Sequence, residues 1–247
     1  MRKYLMFFVG FLWLGCGDDD DSMMGLSGPS SSSFFPTNDL IREYQMFRVD
    51  IYNEGQTRDT FNYFLRERII GADQNSLGEE ITIIEQAERT DPTQEWTVIG
   101  RVSEQVINGQ AIRNEGNLSQ VKLIVPPEED ALWQSTQRFD PSILISIGTD
   151  EIEYFKDWES QYLDLDANFT INDLSFDRVI GVQQASAQNR LQYRTSQEHY
   201  AENIGLVSRV TGVFDTQCFE NCESIPWEDK ADVGQLIIQS LVNYSNE

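Results

Sequence analysis

Cys218-Phe-Glu-Asn-Cys222 and His199 are the residues most able to do chemistry in this chain of 247 residues. Two thiols can form a disulfide, cycle in redox chemistry or hold a metal. A redox dithiol has two residues between the cysteines, and here there are three. A four-ligand zinc site needs further partners, but the chain has one histidine and one more cysteine, Cys16, far away. A structural disulfide is therefore expected if the chain is exported. Its short loop limits its worth to about 2 to 3 kcal/mol. A lone His199 excludes a His-Glu-x-x-His protease. The stretch at Ser146-Ile147-Gly148 is no G-x-S-x-G elbow. His199 reads as a surface or half-packed side chain. Asp164-Leu-Asp166-Ala-Asn168 opens like a calcium loop, then fails with Phe169 in place of Gly and Ser175 in place of the bidentate Glu. No Walker A or G-x-G-x-x-G is present. No cofactor, metal or catalytic residue is expected. Trp96, Trp133, Trp158 and Trp227 can line a ligand cavity or fill the core, and core packing is the simpler expectation. The 41 acidic and 18 basic residues give a net charge of -23, which excludes a nucleic-acid partner.

The third cysteine belongs to a different feature. Residues 1–15 join Arg2-Lys3 to a short apolar run ending at Gly15. The run has the length of a secretory signal and is too short to span a bilayer, which takes about 20 residues. Gly15-Cys16 resembles the end of a bacterial lipoprotein signal, although Trp13 stands where that pattern has Leu. The resemblance implies acylation of Cys16 and a lipid bilayer as partner. An ordinary secretory leader is the alternative. Asp18, Asp19, Asp20 and Asp21 follow, too charged to pack. This cluster resembles the export signal of surface lipoproteins in Bacteroidetes, implying an outer-membrane location with surface exposure; a periplasm-facing anchor is the alternative. Residues 16–33 continue as a Ser-rich tether. Residues 34–247 are expected to form one domain.

Positioning in that domain falls to strands. Tyr44, Met46, Arg48, Asp50 and Tyr52 alternate with Gln45, Phe47, Val49 and Ile51, and the second face is the better core candidate. Further strands are expected at 60–70, 81–84, 96–102, 120–125, 151–158, 169–171, 176–183, 190–195, 205–213 and 235–244. Asn108-Gly109 between apolar pairs predicts a hairpin with both turn residues at positive φ. A helical turn is expected near 127–136. About ten strands do not fit one flat sheet. The expected fold is mainly β: an antiparallel, strongly curved sheet or open half-barrel with one short helix, or else a two-sheet sandwich.

Tyr44-Gln-Met-Phe-Arg-Val-Asp50, Leu174-Ser-Phe-Asp177, Tyr200-Ala-Glu-Asn-Ile-Gly-Leu-Val207 and Trp227-Glu-Asp-Lys-Ala-Asp-Val-Gly234 resemble motifs of an uncharacterised family of β-rich Bacteroidetes lipoproteins. Gln45 departs from that family's aromatic. The resemblance implies the address and the β fold, and no catalytic residues. The leading expectation is a non-enzymatic lipoprotein that binds a partner or serves the envelope. A carrier of a small hydrophobic ligand requires an apolar cavity of about 300 to 1,000 Å³. An exported hydrolase requires two carboxylates about 5 to 9.5 Å apart in a cleft, if it is a glycosidase.

Overall fold

The computed structural model describes residues 31–37 and 39–246. Cys16 and the acidic cluster Asp18, Asp19, Asp20 and Asp21 lie outside the described residues. A short 3-10 helix, Ser31–Phe34, precedes fourteen strands. The first six are β1 (Leu40–Tyr52), β2 (Thr57–Gln74), β3 (Glu80–Arg89), β4 (Thr97–Ile107), β5 (Gln110–Glu115) and β6 (Leu118–Ile124). Next come β7 (Leu132–Trp133) and the hairpin of β8 (Leu144–Ile147) with β9 (Asp150–Glu153). The chain continues with β10 (Ser160–Ile171), β11 (Leu174–Gln188), β12 (Gln192–Ala201) and β13 (Gly205–Asp215). A four-residue helix, α1 (Trp227–Lys230), leads into β14 (Val233–Asn246).

Twelve strands form one antiparallel sheet in the order β6-β5-β4-β3-β2-β1-β14-β13-β12-β11-β10-β7. It curls into a nearly closed barrel, as expected for a chain whose strands mostly follow one another through tight turns. The Asn108-Gly109 turn has φ of 49° and 73° at its two residues, the geometry the sequence predicts.

Closure is completed at β6 by one backbone bond and several side chains. Val121 N–H donates to the Ser135 carbonyl over 2.9 Å. The Trp133 indole N–H donates to the Val121 carbonyl, and Gln184 Nε2 donates to the Lys122 carbonyl. The Tyr162 hydroxyl accepts from Ile124 N–H and donates to the Ile124 carbonyl. These contacts satisfy backbone groups that a free edge would leave open.

Two sequence expectations are corrected. The helix lies at Trp227–Lys230, not at 127–136. In the latter stretch, β7 is needed beside β10, and Trp133 is needed against Val121. The favoured core face of β1 is also reversed. Arg42, Tyr44 and Met46 are buried in the barrel, while Gln45 is exposed. Val49 and Ile51 are buried because Ala231 and Trp227 pack over the barrel's outer face with Phe214 and Leu236. Hydrophobicity did not identify the inside because much of the inside is polar.

Candidate functional site

The interior is built from cross-strand polar pairs. Glu67 on β2 faces Gln86 on β3, and Glu104 on β4 faces Arg113 on β5. Glu198 on β12 faces Arg209 on β13, with Ser196 opposite Thr211. Asp50 on β1 faces Gln235 on β14. Each pair is hydrogen-bonded, at 2.6 to 3.0 Å. Contacts between non-neighbouring strands show that these side chains point inward. Arg113 from β5 meets Glu67 from β2, and Lys122 from β6 reaches Glu198 from β12 at 2.9 Å. A twelve-stranded barrel is wider than one its side chains can fill with short apolar groups, so long charged side chains meet across it.

Two carboxylates organise this interior. Glu67 lies between Arg42, 2.9 Å away, and Arg113, and also accepts from Gln86. Burial opposes its charge, but the two guanidinium groups prevail and hold its carboxyl down to about 2. Glu198 is more completely coordinated. Its Oε1 accepts from Lys122 and Arg209, and its Oε2 accepts from Gln184 and Tyr200. Burial again opposes its charge, and Lys122 and Arg209 hold its carboxyl well below the usual range. Lys122 is pushed down to about 8, because desolvation outweighs its pairing with Glu198.

A cavity of about 260 Å³ lies beside this second group. Arg113, Glu115, Lys122, Glu198 and Arg209 form its charged wall. Ile145, Tyr154, Phe155 and Trp158 form the opposite, aromatic wall. These four come from the segment around the β8–β9 hairpin, which lies across the Tyr52 end of the barrel. Phe155 and Trp158 pack edge to face, their ring centres 5.0 Å apart. The Trp158 indole N–H is satisfied by the Tyr154 carbonyl.

The hairpin is pinned on two sides. Asn53 N–H donates to Asp150 Oδ2 at 2.6 Å. Arg194 donates to the Glu153 carbonyl and pairs with Asp215 at 2.7 Å. At the opposite end, Phe34 and Phe35 are buried beside Tyr200 and Leu206. Asn203 N–H donates to the Ser33 carbonyl there. The chain thus enters the domain by filling one end of the barrel, and the hairpin covers the other.

The residues singled out from sequence occupy other places. Cys218 and Cys222 are joined by a disulfide, Cα–Cα 6.1 Å, in the outer loop that leads to α1. A groove of about 460 Å³, about as open to solvent as the central cavity, runs beside it, past Phe219 and Trp227. It lacks the buried polar groups of the central cavity. His199 is half-buried and stacks on Phe169, ring centres 4.2 Å apart, and burial lowers its basicity. Asp164 and Asp166 belong to β10 and form no calcium loop. Of the four tryptophans, Trp158 lines the cavity. Trp133 seals the β6 seam, Trp227 stacks on Tyr193, and Trp96 lies under Arg66 and Arg89. Among the described residues, no three His, Cys, Asp or Glu side chains gather into a metal-holding set. The sequence reading missed Lys122, Glu198 and Arg209. Each is a charged residue inside a strand, at spacings that look solvent-facing until the barrel closes.

No family model and no curated protein matches this chain. Among solved structures, it is similar to a "putative lipoprotein" of Parabacteroides distasonis ATCC 8503, with 11% identity and a TM-score of 0.37, covering 85% of this chain and 98% of that one. It is also similar to a "putative exported protein with YmcC-like fold" of Bacteroides fragilis NCTC 9343, with 11% identity and a TM-score of 0.38, covering 85% and 99%. At these scores the two structures assign no function to this chain.

Proposed function

We propose that this chain is an exported, non-enzymatic binding lipoprotein, anchored through acylated Cys16 and holding a small molecule inside its barrel. The observation that carries the binding role is the 260 Å³ cavity between the Lys122–Glu198–Arg209 wall and the aromatic wall of Tyr154, Phe155 and Trp158. Small-molecule sites are concave, largely apolar and supplied with a few fixed polar groups, and this cavity has that composition. The anchor rests on Gly15-Cys16 after a short apolar leader. Acyl chains contribute about 0.8 kcal/mol per buried CH₂, so two or three chains on one cysteine hold a protein at a bilayer. The run Asp18, Asp19, Asp20 and Asp21 favours the outer surface of the outer membrane.

A hydrolase reading is weaker on chemical grounds. Glu198 has both oxygens occupied by donors and is too acidic to deliver a proton. A carrier of purely apolar ligands is weaker too, because one wall of the cavity is charged.

Two measurements test the proposal. Metabolic labelling with a fatty acid should mark the wild-type chain and spare Cys16→Ala; equal labelling of both removes the anchor. Native mass spectrometry of the protein from its own envelope should show a small molecule bound at one per chain. A barrel that always comes out empty, and takes up nothing offered to it, removes the binding role.

A further inference from the structure

Within that binding reading, on which this inference rests, one cation of the cavity wall is only partly engaged. Arg42 and Arg113 meet Glu67, and Arg113 also meets Glu104. Glu115 is half exposed at the rim, 3.6 Å from Arg113. On the cavity wall, Lys122 and Arg209 share the single oxygen Oε1 of Glu198. Arg209 uses only Nε for that contact. Its two Nη groups hydrogen-bond nothing among the described residues, and its side chain keeps 18% of its exposure beside the cavity. A guanidinium with one edge engaged presents its remaining N–H groups as a fork for a carboxylate.

A second polar atom points to the same ligand. The Tyr154 hydroxyl has no hydrogen-bond partner among the described residues, although Tyr154 is buried and lines the cavity. Its acidity is suppressed mainly by burial, so the hydroxyl stays protonated and able to donate. Arg209 and Tyr154 line the same cavity. Both groups meet water at the cavity, and an anionic acceptor that reaches the two together replaces that water with charge-assisted hydrogen bonds. The apolar part of the lining is Leu118, Ile145, Phe155, Trp158 and Ile237; the rest is polar, with the half-exposed Glu115 at the rim.

We infer that the cavity binds a small organic carboxylate with an apolar or aromatic body, its carboxylate held by Arg209 Nη and the Tyr154 hydroxyl and its body lying against Phe155 and Trp158. Such a ligand gives Arg209 the counter-ion it now shares. The volume of about 260 Å³ falls just under the usual range for drug-sized ligands, so the body is one ring or a short chain.

Three near-isosteric probes separate charge from shape: phenylacetate, phenylacetamide and 2-phenylethylamine. Each is titrated into the full chain in detergent, with binding read from Trp fluorescence and by calorimetry. Phenylacetate should bind at least ten-fold more tightly than either of the others. Arg209→Lys keeps a cation for Glu198 and loses the fork, and should cut that preference several-fold. Tyr154→Phe should weaken phenylacetate and leave phenylacetamide within two-fold, which is a check that does not depend on altering the ion network. Equal binding of acid and amide, or preference for the amine, overturns the ligand class while leaving a binding protein. Failure of all three probes together with an empty barrel in native mass spectrometry overturns both readings.

Discussion

Glu198 is the residue on which most of the interior depends. It accepts four hydrogen bonds from four side chains, two of them cations. Removing a carboxylate that serves buried cations costs about 3 to 5 kcal/mol, because the cations stay behind unpaired. Removing Lys122 is different, since Glu198 keeps Arg209, Tyr200 and Gln184. Glu198→Gln should therefore lower urea stability by about 3 to 5 kcal/mol, and Lys122→Met by less than about half of that. Equal losses would mean that the two groups act only as a pair. The pH dependence has opposite signs at the two ends of the scale. Glu67 titrates at about 2 when folded against 4.5 normally, so its stabilisation is complete above pH 4.5 and is lost as pH falls toward 2. Lys122 titrates at about 8 when folded against 10.5 normally. Between those values the unfolded chain holds the extra proton, so this group makes stability rise with pH. Urea titrations across pH should show the acid loss, shallower by about one proton in Glu67→Gln. The alkaline gain should be absent in Lys122→Met.

At the scale of elements, the hairpin across the Tyr52 end is the part most open to separate manipulation. It joins the rest through two polar pins and one apolar cluster, and it pairs with no strand of the barrel. Its turn depends on Gly148, whose φ of +59° suits glycine and whose missing side chain leaves room for the Tyr52 ring. Gly148→Val adds a β-branched side chain to a left-handed position and drives it into that ring. Hydrogen exchange should then accelerate in residues 144–158 while β1, β12, β13 and β14 keep their protection. Uniform loss of protection would show that the hairpin and barrel fold as one unit. The strands themselves were largely legible from sequence. Strands were expected within β1 to β4, β6 and β11 to β14, and Asn108-Gly109 marked its turn, but only 169–171 of β10 was marked and the strand expected at 151–158 runs past the end of β9. What could not be read was which face is inside. Alternation of apolar and polar residues identifies a face only when one side is oily, and Arg42, Glu67, Glu104, Arg113, Glu198 and Arg209 reverse that rule. Their partners lie far away along the chain, 76 residues in Lys122–Glu198 and 162 in Arg42–Ile204, so no local pattern announces them. Pro126-Pro127 followed by acidic residues imitates a helix start, but the seam requires β7 there instead.

At the scale of the whole molecule, closure of the barrel keeps a network of paired charges, Arg42, Arg113 and Lys122 with Glu67, Glu104 and Glu198, away from bulk solvent. That closure is not made by an unbroken ladder. The sheet ends at β6 on one side and at two-residue β7 on the other, and a free β6 would present an open edge. Tyr162 and Trp133 supply three of the bonds that occupy it, to Ile124 N–H, the Ile124 carbonyl and the Val121 carbonyl. A Tyr162→Phe and Trp133→Phe double variant keeps two aromatic rings and removes those bonds. Each buried backbone group left without a partner costs about 1 to 3 kcal/mol, and an unblocked edge pairs with another chain. Residues 118–125 should lose hydrogen-exchange protection first, since their outer backbone groups are the ones released. Dimers and larger species should appear in light scattering at concentrations where the wild type is monodisperse. A variant that keeps its wild-type size distribution and its protection at 118–125 would show that Gln184 and the Val121–Ser135 bond hold the seam alone. The charged interior would then be sealed by backbone pairing and one amide, and its enclosure would owe nothing to the two aromatic side chains.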